Sequence, residues 1–80
     1  MEVTVLLFAS YADALGCSST TVTLPPGATA GDALSAIRRM PGAERLPVAP
    51  MLAVNEEYAR PGHALSSGDR LAVIPPVAGG

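Results

Sequence analysis

Residues 3–8 read Val3-Thr4-Val5-Leu6-Leu7-Phe8. Two interleaved sets alternate along this stretch, Val3, Val5 and Leu7 against Thr4, Leu6 and Phe8. Period-two alternation in β-branched and aromatic residues is the pattern of a strand. Both sets end apolar, which predicts a central strand with a second face that is not simply solvated. The fold then depends on how much of the remaining chain can cover those two faces.

Working outward, Tyr11 to Leu15 predicts a short helical turn closed by Gly16 as its C-cap. Thr20 to Leu24 predicts a second strand, stopped by Pro25-Pro26-Gly27. One clear helix begins at Thr29: Thr29-Ala30-Gly31-Asp32 fits a capping signal, with a hydroxyl for a free N–H and a carboxylate at the positive end of the helix dipole. Ala33, Leu34, Ile37 and Met40 fall on one stripe at helical spacing. The helix is expected to run about three turns, to carry Arg38 and Arg39 in its last turn and to end at Pro41-Gly42. After a loop broken by Pro47 and Pro50, Met51 to Val54 predicts a third strand. Asn55-Glu56 predicts a tight turn into a short return strand, Glu57 to Ala59. Leu65 to Asp69 is a turn, and Leu71-Ala72-Val73-Ile74 is the last strand.

One main helix covers only one face of such a sheet. The expected class is α+β, a mixed sheet of four to five strands with that helix on one face. If the first and last strands are central neighbours, Val3, Val5, Leu7, Leu71 and Val73 pack on Leu34, Ile37 and Met40. Leu6, Phe8, Ala72 and Ile74 then share the uncovered face, and an exposed apolar patch of this kind marks a partner surface.

Eighty residues form one small domain, about half apolar and only 15% charged, without repeats or internal boundaries. The lone cysteine, Cys17, excludes an intrachain disulfide and suits a reducing compartment. Met1-Glu2-Val3-Thr4 lacks a basic leader, and Val5 to Ala9 is too short an apolar run to span a bilayer, so the expectation is a cytoplasmic protein with no membrane association. Net charge is −2, and the bases Arg38, Arg39, Arg45, Arg60 and Arg70 are scattered with few aromatics between them, which argues against nucleic acid. Lysine is absent, so no side-chain amine is offered for an isopeptide bond or a Schiff base.

The familiar catalytic constellations are missing. His63 stands in a Pro-Gly turn without a second ligand or nucleophile at a known spacing and reads as a solvated loop histidine. Cys17 follows Gly16 near a helix end with no His or CxxC partner and reads as a structural or incidental thiol. Glu56 and Glu57 are adjacent, so on a strand they point to opposite faces and form no carboxylate pair. No metal spacing or phosphate loop is present, and no stably bound metal or cofactor is expected.

The end of the chain is more informative. Pro75 and Pro76 fix φ and stiffen the exit from the last strand, and the arm ending in Val77-Ala78-Gly79-Gly80 reaches about 15–20 Å counted from Pro75. Residues 1–75 are thus expected to form the domain and 76–80 a flexible diglycine tail. Two terminal glycines pass through a channel too narrow for any other residue. The Gly80 carboxylate is an anion and a poor electrophile, but activation as an acyl-adenylate, with ATP supplied by another protein, turns it into an acyl donor that a sulfur nucleophile can convert to a thiocarboxylate.

The stretch "LAVNEEYARPGHALSSGDRLAVIPPVAGG", residues 52–80, resembles the small sulfur-carrier subunit of molybdopterin synthase. Members are ubiquitin-like β-grasp proteins with ends of the form L-x-x-G-D-x-[LV]-A-[VIF]-x-P-P-V-x-G-G, which Leu65 to Gly80 match; "VTVLLFASYADALG" is similar to the family's opening. The resemblance implies that an E1-like enzyme adenylates Gly80, leaving a transient acyl-AMP, and that a sulfurtransferase system converts it to a thiocarboxylate. It also implies docking on the large catalytic subunit, in a heterotetramer, through Leu6, Phe8 and Ile74. Pro75, Pro76, Val77 and Gly79 then guide the tail inside, and sulfur passes to cyclic pyranopterin monophosphate. The position before Pro-Pro is often aromatic in this family and here is Ile74, which implies a smaller contact area. The same diglycine chemistry serves thiamin-thiazole carriers and ubiquitin-like protein modifiers. A β-grasp interaction module with an inert tail is the reading of another class.

Overall fold

The computed structural model describes residues 1–8, 10–45 and 50–74. Its elements are β1 (Glu2–Leu7), α1 (Ser10–Leu15), β2 (Ser19–Thr23), α2 (Ala30–Ile37), a 3-10 turn at Ala43–Arg45, β3 (Met51–Val54), β4 (Glu57–Ala59) and β5 (Arg70–Ile74). The strands form one five-stranded sheet in the order β2-β1-β5-β3-β4. β1 and β5 are parallel neighbours, with Val5 opposite Leu71 and Leu7 opposite Val73; all other pairings are antiparallel. The strand predicted to be central is therefore flanked on both sides, and the mixed α+β architecture is the expected one.

The two apolar sets of β1 part as their alternation requires. Val3, Val5 and Leu7 are buried with Leu71 and Val73, and α2 closes this side with Ala33, Leu34 and Ile37. Met40 packs against the same cluster while partly buried. Val3, Val5, Ile37, Leu71 and Val73 are the largest fully buried side chains, each contributing about 1.5–3 kcal/mol through removal from water. Tyr11 of α1 adds an aromatic ring to this core.

α2 starts where its capping residues direct. Asp32 donates its backbone N–H to Thr29 Oγ1 at 3.3 Å, and the Thr29 N–H donates to Asp32 Oδ2 at 2.9 Å, a reciprocal capping box. The next free N–H groups are taken by a neighbouring loop: Ala30 donates to the His63 carbonyl at 2.9 Å and Gly31 to the Pro61 carbonyl at 2.7 Å. The approach is close: a Cβ at Gly31 would stand 3.1 Å from the Pro61 oxygen, tighter than most such contacts. The "RPGH" turn thus works through backbone carbonyls, completing the cap that side chains begin.

The helix is shorter than its apolar stripe. It spans eight residues and closes at Arg38 as C-cap, so Arg38 and Arg39 do not form a last α-turn. Arg39 donates to the Ala36 carbonyl and Met40 to the Ile37 carbonyl, the tighter i to i−3 pattern. The reason is local: Pro41 disfavours α-conformation at the residue before it, and Gly42 turns back at φ 91 against the carbonyl of Ala14. The following 3-10 turn, Ala43–Arg45, had no sequence signal. β2 begins at Ser19 and ends at Thr23, one residue ahead of expectation at each end. Asn55 and Glu56 sit at φ 50 and 74, the paired positive values of a two-residue type I′ hairpin. Glu56 therefore belongs to the turn, as expected, and β4 begins at Glu57.

Candidate functional site

Among the described residues, no helix covers the second face of the sheet. Strand registers place Leu6 opposite Ala72, Ala72 opposite Ala53, and Ala53 opposite Tyr58, so one row crosses β1, β5, β3 and β4 in turn. A second row, nearer the end of β5, sets Ile74 opposite Met51. Two alanines at the middle of the first row form a floor, and bulkier side chains rise around it. The result is a cavity of about 620 Å³ lined by Leu6, Phe8, Ala53, Tyr58, Ala72 and Ile74, with Asn55, Glu56 and Arg70 at its polar end.

The three partner-binding residues expected from sequence, Leu6, Phe8 and Ile74, all meet in this cavity. Sequence reasoning missed Tyr58 and Ala53. Tyr58 is 75% exposed and Phe8 46%, an unfavourable placement for aromatic rings in a free monomer. The signal for Tyr58 was its place in a three-residue strand facing Ala53 across the Asn55-Glu56 turn, legible once the turn type is known.

A polar clamp shapes the other end of the face. Asn55 donates from Nδ2 to Asp69 Oδ1 at 3.0 Å and accepts the Arg70 N–H at its Oδ1, also at 3.0 Å. Ser66 donates its N–H to Asp69 Oδ2 at 2.8 Å, and Asp69 donates its own N–H back to the Ser66 carbonyl. Donation from the Ser66 backbone lowers the Asp69 pKa below the ordinary carboxylate value, with smaller help from Asn55 and the charge of His63. The clamp joins the β3–β4 hairpin to the start of β5 and so fixes the register of the cavity floor.

The other titratable groups of note, Tyr11, Cys17 and His63, lie away from this face. Tyr11 is buried, and desolvation raises its phenol pKa against the pull of the Arg38 guanidinium. Cys17 is a half-buried free thiol packed on the core. His63 is exposed, and its backbone does the work described above. Among the described residues no three His, Cys, Asp or Glu side chains cluster as metal ligands, and no helix is long and apolar enough to cross a membrane. Pro75, Pro76, Val77, Gly79 and Gly80, like the expected boundary between residues 75 and 76, lie outside the described residues. What the structure does place is their point of departure: β5 ends at Ile74, on the lining of the cavity.

Comparison with known proteins agrees with this fold. Relatives named molybdopterin synthase sulfur carrier subunit are 35% identical in Arabidopsis thaliana and 36% in Chlamydomonas reinhardtii. Both matches cover all of this chain, with 84% of the first relative and all of the second. The crystal structure of SAMP1, a small archaeal modifier protein from Haloferax volcanii, superposes with a TM-score of 0.87 at 34% identity over the whole of both chains. One chain of a complex of subunits 1 and 2 of molybdopterin-converting factor from Helicobacter pylori is similar in fold, with a TM-score of 0.73 at 18% identity, covering all of this chain and all of that one. These neighbours are ubiquitin-like β-grasp proteins, and the ThiS family model matches residues 5–80: the chain belongs to the ThiS family.

Proposed function

We propose that this protein is the sulfur carrier of molybdenum cofactor biosynthesis, acting as the small subunit of molybdopterin synthase. The observation that carries the reading is structural continuity: β5 delivers the chain from an exposed apolar cavity directly into Pro75-Pro76-Val77-Ala78-Gly79-Gly80. A docking face and a reactive terminus on one strand are what a carrier needs, since seating the face aims the end. The full-length likeness to two named sulfur carrier subunits supports the choice of pathway.

In this mechanism an E1-like enzyme binds the face and brings the Gly80 carboxylate to ATP. Carboxylate oxygen attacks the α-phosphate, pyrophosphate leaves, and the terminus becomes an acyl-adenylate. The persulfide sulfur of a sulfurtransferase attacks the acyl carbon and AMP leaves; a thiol then cleaves the resulting acyl disulfide, so that an enzyme disulfide forms and a thiocarboxylate remains. The loaded carrier docks on the large catalytic subunit, Pro75 and Pro76 aim the arm, and Gly79 passes where a side chain would not. The chain binds no cofactor of its own in this cycle; ATP is used by the activating enzyme.

The test is an intact mass after incubation with the cognate activating enzyme, ATP and a sulfur source. A gain of about 16 Da, oxygen replaced by sulfur, is expected, and deletion of Gly80 should abolish it. Absence of any gain, or full activity without Gly80, overturns the reading. The likeness to SAMP1 favours a second reading, a ubiquitin-like protein modifier. Covalent adducts on lysines of other proteins would support that reading, and a thiazole product on reconstitution would move the carrier to the thiamin pathway.

A further inference from the structure

Glu56 holds a backbone conformation that suits glycine. Its φ of 74 is the second positive value of the hairpin, where a residue with a Cβ is strained. Nothing in the fold visibly offsets that strain. The Glu56 side chain is exposed and forms no hydrogen bond or ion pair among the described residues. It does, however, line the polar end of the cavity on the uncovered face. Arg70 lines the same end, is exposed, and likewise has no ion-pair partner among the described residues.

These two unpaired, opposite charges stand at a defined distance from the tail. Arg70 opens β5 and Ile74 closes it, so the charged end lies about 13 Å from the point where the tail departs. Between them the lining is apolar. An apolar surface alone seats a partner without fixing its rotation, whereas two charges of opposite sign at one end admit a single orientation.

We propose that Glu56 and Arg70 are the specificity-determining charges of this docking face, and that the protein seated on it presents a basic side chain to Glu56 and an acidic one to Arg70. The identity of the face rests on the carrier reading above; the charge pattern does not. Glutamate is then kept at a position where glycine would be more stable because its carboxylate orients the partner and so aims the tail.

The experiment is calorimetric titration of the cognate large catalytic subunit with the unsubstituted chain and with Glu56→Gln, Glu56→Gly and Arg70→Gln, at low and high salt, beside thermal melts. Each variant should bind about fivefold more weakly at low salt, with the difference narrowing at high salt. Glu56→Gly should at the same time melt roughly 5 °C higher, so weaker binding cannot be put down to a damaged fold. Binding by all three variants equal to that of the unsubstituted chain overturns the proposal and leaves the carrier reading intact. Failure of the unsubstituted chain to bind overturns the docking assignment, and the proposal falls with it.

Discussion

At the scale of single residues, Asp69 shows how one carboxylate ties the hairpin to β5 beside the exposed face. Its carboxylate accepts from the Ser66 backbone and from Asn55, while Asn55 in turn receives the Arg70 N–H. The pKa of Asp69 is lowered in the folded protein, so the folded state holds its proton less tightly than the unfolded chain does. The resulting stabilisation is fully present above the unfolded value of about 4 and is lost as pH falls through the lower folded value. Thermal melts of the native chain and Asp69→Ala should therefore differ most at neutral pH and converge below about pH 4. A gap that stays constant from pH 7 to pH 3 would assign the loss to something other than the carboxylate. Sequence alone pointed to "LSSGD" as a turn but could not show this clamp, because Asn55 and Asp69 are 14 residues apart and only the β3–β5 pairing brings them together.

At the scale of elements, local signals were legible wherever the chemistry was local. The β1 alternation, the Thr29-Asp32 cap and the Pro25-Pro26 stop after β2 all act within a few residues, and the structure follows each. The end of α2 was misjudged because the apolar stripe continues to Met40 while Pro41 and the close approach of Gly42 to Ala14 forbid another turn. Tertiary contact decided that boundary. The start of α2 is a different case, since Thr29 and the carbonyls of Pro61 and His63 divide its free N–H groups between them. Thr29→Ala removes the hydroxyl acceptor and leaves the loop acceptors in place. It should cost about 1 kcal/mol, read as a melting point roughly 5 °C lower. Thr29→Ser, which keeps the acceptor, should recover most of that loss in the same melt.

At the scale of the whole molecule, the sheet buries one face and leaves the other open. One face is spent on α2, and the other is left with Leu6, Phe8, Tyr58 and Ile74 around an alanine floor. Most of that division was legible from β1 and β5, whose apolar sets outnumber what one helix can cover. The contribution of Tyr58 was not, because it depends on β4 pairing at the sheet edge. Neighbouring residues of β5 provide a sharp check. Val73 is fully buried under α2, whereas its successor Ile74 is only partly buried and lines the cavity at the point where the tail begins. Val73→Ala should lower unfolding free energy by about 2 kcal/mol in urea titration, yet leave affinity for the large subunit unchanged once the protein is folded. Ile74→Thr keeps the β-branched shape and places a hydroxyl in the docking face. It should change folding by less than about 1 kcal/mol while weakening that affinity about tenfold. If Ile74→Thr proved as destabilising as Val73→Ala, or bound as well as the native chain, the second face would be part of the core, and the tail would have to find its partner without a handle.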